Sequence, residues 1–259
     1  MGEREQRLVF GEVADEYDAV RAGYPAELVD AVLDYLGRTP ERVVEAGAGT
    51  GKATAVFRAR GVPMTCVEPD PAMAAVLRGA HPGVEVEVCR FEDWTPPPGG
   101  VPLLVCAQAW HWVDERRRSA LAHRALALDG VLALFGHQYA FADPVVEAAL
   151  NTAYAQHAPE LLDVPDRSGS SAVDYLTGEL TGSALFTDVR VRLFETVVPY
   201  PAPRYRRLLP TFSPHRMLPV ERRTALHDAI DAVVHAHGGV VHQRLDTPLI
   251  LARRAPVAG

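Results

Sequence analysis

Between residues 42 and 135 short apolar runs alternate with helical patterns, and this order restricts the chain more than any other feature it has. The runs Arg42 to Ala46, Met64 to Glu68, Val84 to Cys89, Leu103 to Ala107 and Val131 to Phe135 read as strands. Helical patterns at Lys52 to Arg60, Pro71 to Gly79 and Glu115 to Ala127 lie between them. Strands joined by helical crossovers form parallel sheets with helices on both faces. The expectation is an α/β protein with a doubly wound, seven-stranded, mostly parallel sheet and a helical cap. Nowhere does the chain carry about 18 consecutive apolar residues, the length a membrane span needs.

The flanks complete that expectation. Amphipathic patterns around Val9 to Val20 and Pro25 to Leu36 predict two N-terminal helices. After residue 138 the texture changes: Val145 to His157 and Tyr175 to Leu180 read as helical, with a loop at 165–172. VRVRLFETVVPY, residues 189–200, alternates like a strand, and Val240 to Ala252 like a final one. The helical stretch from Pro203 to His237 is interrupted by Pro210, Pro214 and Pro219. The predicted organisation is 1–37 as helices covering a cofactor, 38–137 as the binding core, 138–185 as a cap, and 186–259 as two strands with a helical insertion at 200–238.

The turn after the first strand, EAGAGTGKAT, limits which cofactor the core can hold. A phosphate loop requires G-x-x-x-x-G-K-[S/T]; Ala46 stands where its first glycine belongs and Ala53 where its hydroxyl belongs. A dinucleotide fingerprint needs a third glycine for close helix packing, and that position holds Lys52. The spacing [E/D]-x-G-x-G-x-G is met in full by Glu45, Gly47, Gly49 and Gly51. It suits a ligand without phosphate, with an acid facing a cationic amino-acid end, which is the description of S-adenosylmethionine (SAM). Glu68, ending the second strand, can accept ribose hydroxyls, a role that a dinucleotide site would share. Asp70-Pro71 starts a helix, and Met73 can lie on an adenine face or fill the core.

VVEAGAGTGKAT, CVEPDPAM, RFEDW and AQAWHWVD together resemble the motifs of the class I SAM-dependent methyltransferases. With FGEVADEYDAVRAGYP and QRLDTPLILARR the chain is similar to the small-molecule group that includes trans-aconitate methyltransferase and the quinone-biosynthesis methyltransferases. The resemblance implies that Gly47, Ala48, Gly49 and Gly51 line the methionine and ribose portions and that Glu45 faces the ammonium. It implies that Glu68 with Pro69 and Met73 holds the ribose and adenine, and that the Phe91 backbone and the Glu92 carboxylate read the adenine edge. Gln108 would stand beside the methionyl group, with Tyr17 and Arg21 folded over the cofactor. Lys52 departs from the usual small or apolar residue and is expected to face solvent.

In open α/β sheets ligands bind beyond the carboxyl ends of the strands, so His111 and His137 are candidate bases or acceptor-orienting groups. Each has an alternative structural reading as a packing residue. Trp110 and Trp112 can wall an apolar acceptor, and Tyr139, Phe212 and His215 in the cap can contact it. Alternatively, one tryptophan fills the core.

The formal net charge of −7 speaks against nucleic acid, which needs clustered cations. Arg116 to Arg118 and Arg204, Arg206 and Arg207 read as solvated helix faces. Cys66, Cys89 and Cys106 are too widely spaced for a zinc or redox pair, and no metal is expected at His235, His237 and His242. The charged start MGEREQRLVF has no apolar leader, so a cytoplasmic protein is expected, monomeric or homodimeric and without membrane partners. The abundance of Ala, Arg, Val and Pro over Lys suggests bacterial specialised metabolism. The expected function is methyl transfer from SAM to a small-molecule acceptor. The competing readings are a nicotinamide-dependent oxidoreductase and a SAM-binding protein that does not methylate.

Overall fold

A computed structural model describes residues 11–162 and 170–256. Val9 and Phe10 of the first expected helix, and most of the loop expected at 165–172, lie outside the described residues. The chain forms two compact units, each assembled from separate stretches of sequence. Unit 2 comprises 23–138, 167–194 and 247–259, and unit 1 comprises 1–22, 139–166 and 195–246.

Unit 2 is the doubly wound core. Its parallel strands are β1 (Val43–Ala46), β2 (Met64–Val67), β3 (Glu85–Glu87), β4 (Val101–Ala107) and β5 (Leu126–Phe135). They lie in the order β3-β2-β1-β4-β5, with Val43 level with both Met64 and Leu103. The last strand, β8 (Val240–Arg254), runs antiparallel to β5, pairing Leu132 with Ala252. A further strand, β7 (Phe186–Pro201), pairs with β8.

All of β1 and β2 is buried, as expected for parallel strands covered on both faces. Alternate residues enter opposite cores. Val43, Val105, Ala133 and Leu251 join Leu28, Val32 and Phe57 on one side. Val44, Leu104, Leu132 and Ala252 join Trp94, Trp110 and Leu126 on the other.

The helices of this unit are α2 (Ala26–Leu36), α3 (Lys52–Arg58), α4 (Pro71–Ala80), α5 (Arg118–Ala125) and α7 (Ser170–Thr181). α4 starts where Asp70 caps the backbone N–H groups of Ala72 and Met73 and Pro71 supplies the first helical φ.

Unit 1 contains α1 (Ala14–Val20), β6 (Gln138–Phe141) from Tyr139 onward, α6 (Pro144–His157), α8 (Ala202–Leu208), α9 (Ser213–Met217) and α10 (Val220–Ala236). Asp143-Pro144 repeats at α6 the capping device of α4. The prolines at 210, 214 and 219 divide the stretch into α8, α9 and α10, since proline cannot extend a helix in progress. Its core gathers Val20, Val146, Leu150, Tyr205, Leu208, Leu226 and Ile230.

The units depart from the four contiguous segments expected. The N-terminal helices separate, α1 into unit 1 and α2 into unit 2, and α7, expected in the cap, belongs to unit 2. Eight strands stand among the described residues, β6 being the one with no counterpart in the expected seven. Arg118, expected on a solvated face, is buried and paired with Glu179 on α7. Lys52 is half-buried where solvent exposure was expected. No helix among the described residues is long and apolar enough to cross a membrane.

Candidate functional site

The turn between β1 and α3 is bound to the end of β2. Gly47 and Ala48 donate their N–H groups to the Val67 carbonyl, and Gly49 donates to Glu68 Oε2 at 2.7 Å. The other carboxylate oxygen of Glu68 accepts from Asp70 N–H at 2.8 Å, so one side chain ties the glycine turn to the start of α4. Glu68 is buried, and burial raises its pKa against the opposing pull of these two N–H bonds.

The three glycines are required for three different reasons. All have left-handed φ, at +69°, +56° and +93° for Gly47, Gly49 and Gly51. A Cβ on Gly47 would lie 2.3 Å from the Ala109 Cβ, so the turn there presses against the segment after β4. A Cβ on Gly51 would meet His81 at 2.7 Å and Leu77 at 3.2 Å, a packing requirement within the fold. A Cβ on Gly49 would meet nothing within 4 Å. Gly49 is therefore the position at which backbone faces open space, as it must where a ligand approaches it. Gly51 carries the spacing but serves packing of the turn against α4.

Glu45, at 1% exposure, stands near the end of β1, just before this turn. Thr54, in the first turn of α3, donates to Glu45 Oε2 at 2.6 Å and lies 3.3 Å from Cys66 Sγ. Burial pushes the Glu45 carboxyl up to about 8, and the nearby Glu68 adds to the rise. Two desolvated acids at one turn favour a cationic ligand, which would relieve both. Thr54 escapes notice in the sequence because nothing in the glycine motif marks the third residue of the following helix as a partner of the acid.

The other residues expected at the cofactor occupy distinct positions in unit 2. Met73 is buried, Pro69 exposed and Ala48 buried. Phe91 is buried and stacked on Trp94, while Glu92 Oε1 accepts from Arg90 and from Asp114 N–H at 2.8 and 3.1 Å. Burial works to raise the Glu92 carboxyl, but these donors hold it below its ordinary value. Gln108, after β4, has φ of +55°, rare for a residue with a side chain, and its amide donates to the His137 carbonyl at 2.8 Å. Backbone strain of this kind clusters at functional sites.

The histidines differ. His111 is exposed and stands against Trp112, with ring centroids 4.5 Å apart. His137 is 2% exposed, with Nδ1 2.8 Å from Thr247 Oγ1, Nε2 3.1 Å from the Gly23 carbonyl, and its ring stacked on Tyr24. A carbonyl only accepts, so Nε2 carries the proton and Nδ1 accepts from Thr247. These bonds give His137 a structural place in the core. Trp110 is likewise buried in the core, and Trp112 is half-buried.

Tyr17, Arg21, Tyr139, Phe212 and His215 all belong to unit 1. Arg21 donates to Thr211 Oγ1, the Thr211 carbonyl and Tyr139 Oη, with its guanidinium 3.9 Å from the Phe212 ring centre and 5.1 Å from that of Tyr17. Tyr139, Phe212 and His215, expected from sequence to contact an acceptor, line one pocket of that unit.

Residues 43–130 match a methyltransferase domain family. An uncharacterised methyltransferase of Mycobacterium tuberculosis is 37% identical over 131 residues, covering 51% of this chain and 53% of that protein. The chain thus spans about half the length of that curated relative. An uncharacterised methyltransferase of Schizosaccharomyces pombe is 25% identical over 225 residues, covering 86% and 85% of the two chains. Among solved structures, one from Anaeromyxobacter dehalogenans assigned as a type II methyltransferase aligns with a TM-score of 0.65 at 23% identity, covering 91% of this chain and 99% of that one. Phosphoethanolamine N-methyltransferase 2 of Haemonchus contortus, in complex with S-adenosylhomocysteine, aligns at 0.53 and 12% identity over 99% of this chain and 62% of that one. Residues 43–130 thus carry the likeness to a methyltransferase domain, and the doubly wound sheet around them is the fold that the chain shares with these solved methyltransferases.

Proposed function

We propose that the protein is a SAM-dependent methyltransferase acting on a small-molecule acceptor. The observation that carries the reading is the set of groups around Gly49: open space over a left-handed glycine, the Glu68 side chain bonded to its N–H, and a second buried acid, Glu45, close enough to Glu68 to feel its charge. That set fits a cationic nucleoside better than a pyrophosphate, which would meet two acids. The match of residues 43–130 to a methyltransferase domain supports it, as does a structural neighbour that holds S-adenosylhomocysteine.

In this reading Glu68 holds the ribose hydroxyls with the lone pairs left after Gly49 and Asp70 are served, and Glu45, neutral while the turn is empty, ionises beside a cationic group. Gln108 is held at the end of β4 by its own amide bond to His137. SAM when bound supplies an electrophilic methyl group on a sulfonium. The contribution of the chain is to orient that group and exclude water, which is where most of the advantage in such a displacement lies. His111, exposed after β4 in unit 2, is the group to which this reading gives the proton of a protonated acceptor.

Calorimetric titration with SAM, S-adenosylhomocysteine and NAD tests the assignment. Binding of the first two, lost in Glu68→Ala, with methyl transfer seen by mass spectrometry, is the expected result. Binding of NAD alone would replace it with the oxidoreductase reading. Binding of SAM without transfer to any acceptor would leave a non-methylating binding protein.

A further inference from the structure

Unit 1 contains a pocket of about 230 Å³ lined by Tyr139, Phe141, Tyr154, Phe212, His215 and Gln243, with leucines closing its walls. A dry cavity of about 150 Å³ holds benzene, so this one has room for a single ring with one or two small substituents.

Three features give the pocket a chemical preference. First, Arg21 stands directly behind the lining residues Tyr139 and Phe212, donating to the hydroxyl of one and lying 3.9 Å from the ring centre of the other; it is buried and has no carboxylate partner among the described residues, its other neighbours being Thr211 and the Tyr17 ring. Guanidinium has five N–H donors. Three bonds are made, to Thr211 Oγ1, to the Thr211 carbonyl and to Tyr139, which leaves two donors for a further acceptor. Aromatic faces offset part of the cost of burying a cation, but an anion offsets more. Second, Gln243 is 4% exposed, lines the pocket, and has a buried amide oxygen with no hydrogen-bond partner among the described residues. Such an atom calls for a donor such as a hydroxyl. Third, Tyr154 Oη lies 3.1 Å from His215 Nε2, and His215 Nδ1 lies 3.0 Å from His227 Nε2. The two rings share one proton between them, so Tyr154 can present either a lone pair or a hydrogen to the pocket, whichever a ligand requires.

We propose that this pocket is a binding site for a single-ring aromatic acid carrying a hydroxyl, its anionic group drawn to Arg21, its hydroxyl donating to Gln243 and its ring between Tyr139, Phe141 and Phe212. Binding is claimed independently of the transferase reading; that such an acid is the methyl acceptor rests on that reading. Burial, with His227 and then Arg21 adding to it, keeps His215 neutral, and so leaves the anionic group to pair with the arginine.

The test is calorimetry on the full chain with 2-hydroxybenzoate and its neutral analogue 2-hydroxybenzamide, and with S-adenosylhomocysteine in parallel. The acid is expected to bind about tenfold or more tightly than the amide, as a charge-assisted bond implies. Arg21→Met should erase that preference and Arg21→Lys retain part of it. Gln243→Leu should weaken both ligands about fivefold, the effect of one hydrogen bond. Equal binding of acid and amide, or no binding of either, overturns the proposal. So does an Arg21→Met protein that loses S-adenosylhomocysteine while keeping the acid, since the guanidinium would then serve the cofactor. Acid binding to a protein silent towards S-adenosylhomocysteine would support the pocket and remove the transferase reading. Should Arg21→Met not fold, Gln243→Leu and the acid-to-amide ratio in the unaltered chain decide.

Discussion

Thr54 donates its hydroxyl to Glu45 Oε2 across 2.6 Å in a site that water does not reach. The bond persists in either protonation state of the acid, since a protonated carboxyl keeps an acceptor oxygen, but burial favours the neutral form and moves the carboxyl up to about 8. Unfolded, the same group titrates near about 4.3. Between these values the folded protein holds a proton that the unfolded chain has released, so stability falls as pH rises through that window. Glu45→Gln cannot ionise and should show a flatter curve. Urea unfolding is expected to give equal stabilities below about pH 4 and an advantage for the glutamine variant of a few kcal/mol, as an upper bound, near pH 8. Parallel curves would mean that Glu45 is ionised in the fold.

Gly47→Ala and Gly49→Ala make a pair with opposite expected phenotypes. Both place a side chain at left-handed φ, costing roughly 1–2 kcal/mol. At Gly47 the new methyl also collides with Ala109 at 2.3 Å, and the variant should lose several degrees more in Tm than Gly49→Ala. At Gly49 the methyl enters open space, so that variant should fold nearly as well as its strain allows while losing S-adenosylhomocysteine affinity about tenfold or more. Thermal melts and calorimetry on both proteins check this. Retained affinity in Gly49→Ala would show that the open space is not where the ligand lies.

The core was legible wherever an apolar run was bounded by turn residues. β1 and β2, flanked by Gly47 and by Pro63 and Pro69, fall within a residue of the expected spans. β5 begins at Leu126, five residues before the expected start, because Leu126 and Ala127 continue the apolar pattern of α5 and disguise the boundary. A residue at positive φ, Asp129, and a register shift between Val101 and Leu103 interrupt the alternation as well. β6 has four half-buried residues and no two-residue period, so nothing in its pattern separates it from a loop. At the glycine turn, the motif was legible because backbone conformation restricts residue type there. Tyr154, Gln243 and His227 were not, because three distant segments meet only after folding and none of the three carries a local motif.

Arg118 shows the same limit in energetic form. In sequence it is one of three adjacent arginines on a polar helix start. In the fold its side chain is 5% exposed and is bonded to Glu179, which also accepts from Ser119 at 2.6 Å. Removing one partner of a buried pair leaves an uncompensated charge, at a cost of about 3–5 kcal/mol. Glu179→Ala should therefore destabilise far more than Glu160→Ala, which breaks the exposed Arg222 pair and should cost under about 1 kcal/mol. Urea midpoints of the two variants make the comparison, and similar losses would show that the Arg118 pair is screened.

His215 and His227 give unit 1 an acid-sensitive core. Burial drives His215 down to about 3, with His227, Arg21 and Arg223 adding like charge, and drives His227 down to about 4, where Arg206 and Arg223 act with burial and Asp228 opposes it. Tyr154, the remaining polar neighbour of His215, is neutral throughout this range because burial pushes its phenol upward. The dyad is thus neutral in the fold, while free histidine takes up a proton near about 6.5. Its stabilising contribution is complete above that value and is lost as pH falls from there towards the folded values, since the unfolded chain binds protons that the folded one refuses. Far-UV circular dichroism during urea unfolding should show stability falling between pH 6.5 and 4.5. His227→Gln should lose less over the same interval, by about 1–2 kcal/mol, despite starting lower at pH 7 through the lost bond to His215. A variant with an unchanged slope would show that solvent reaches the pair and that the imidazoles titrate normally in the fold.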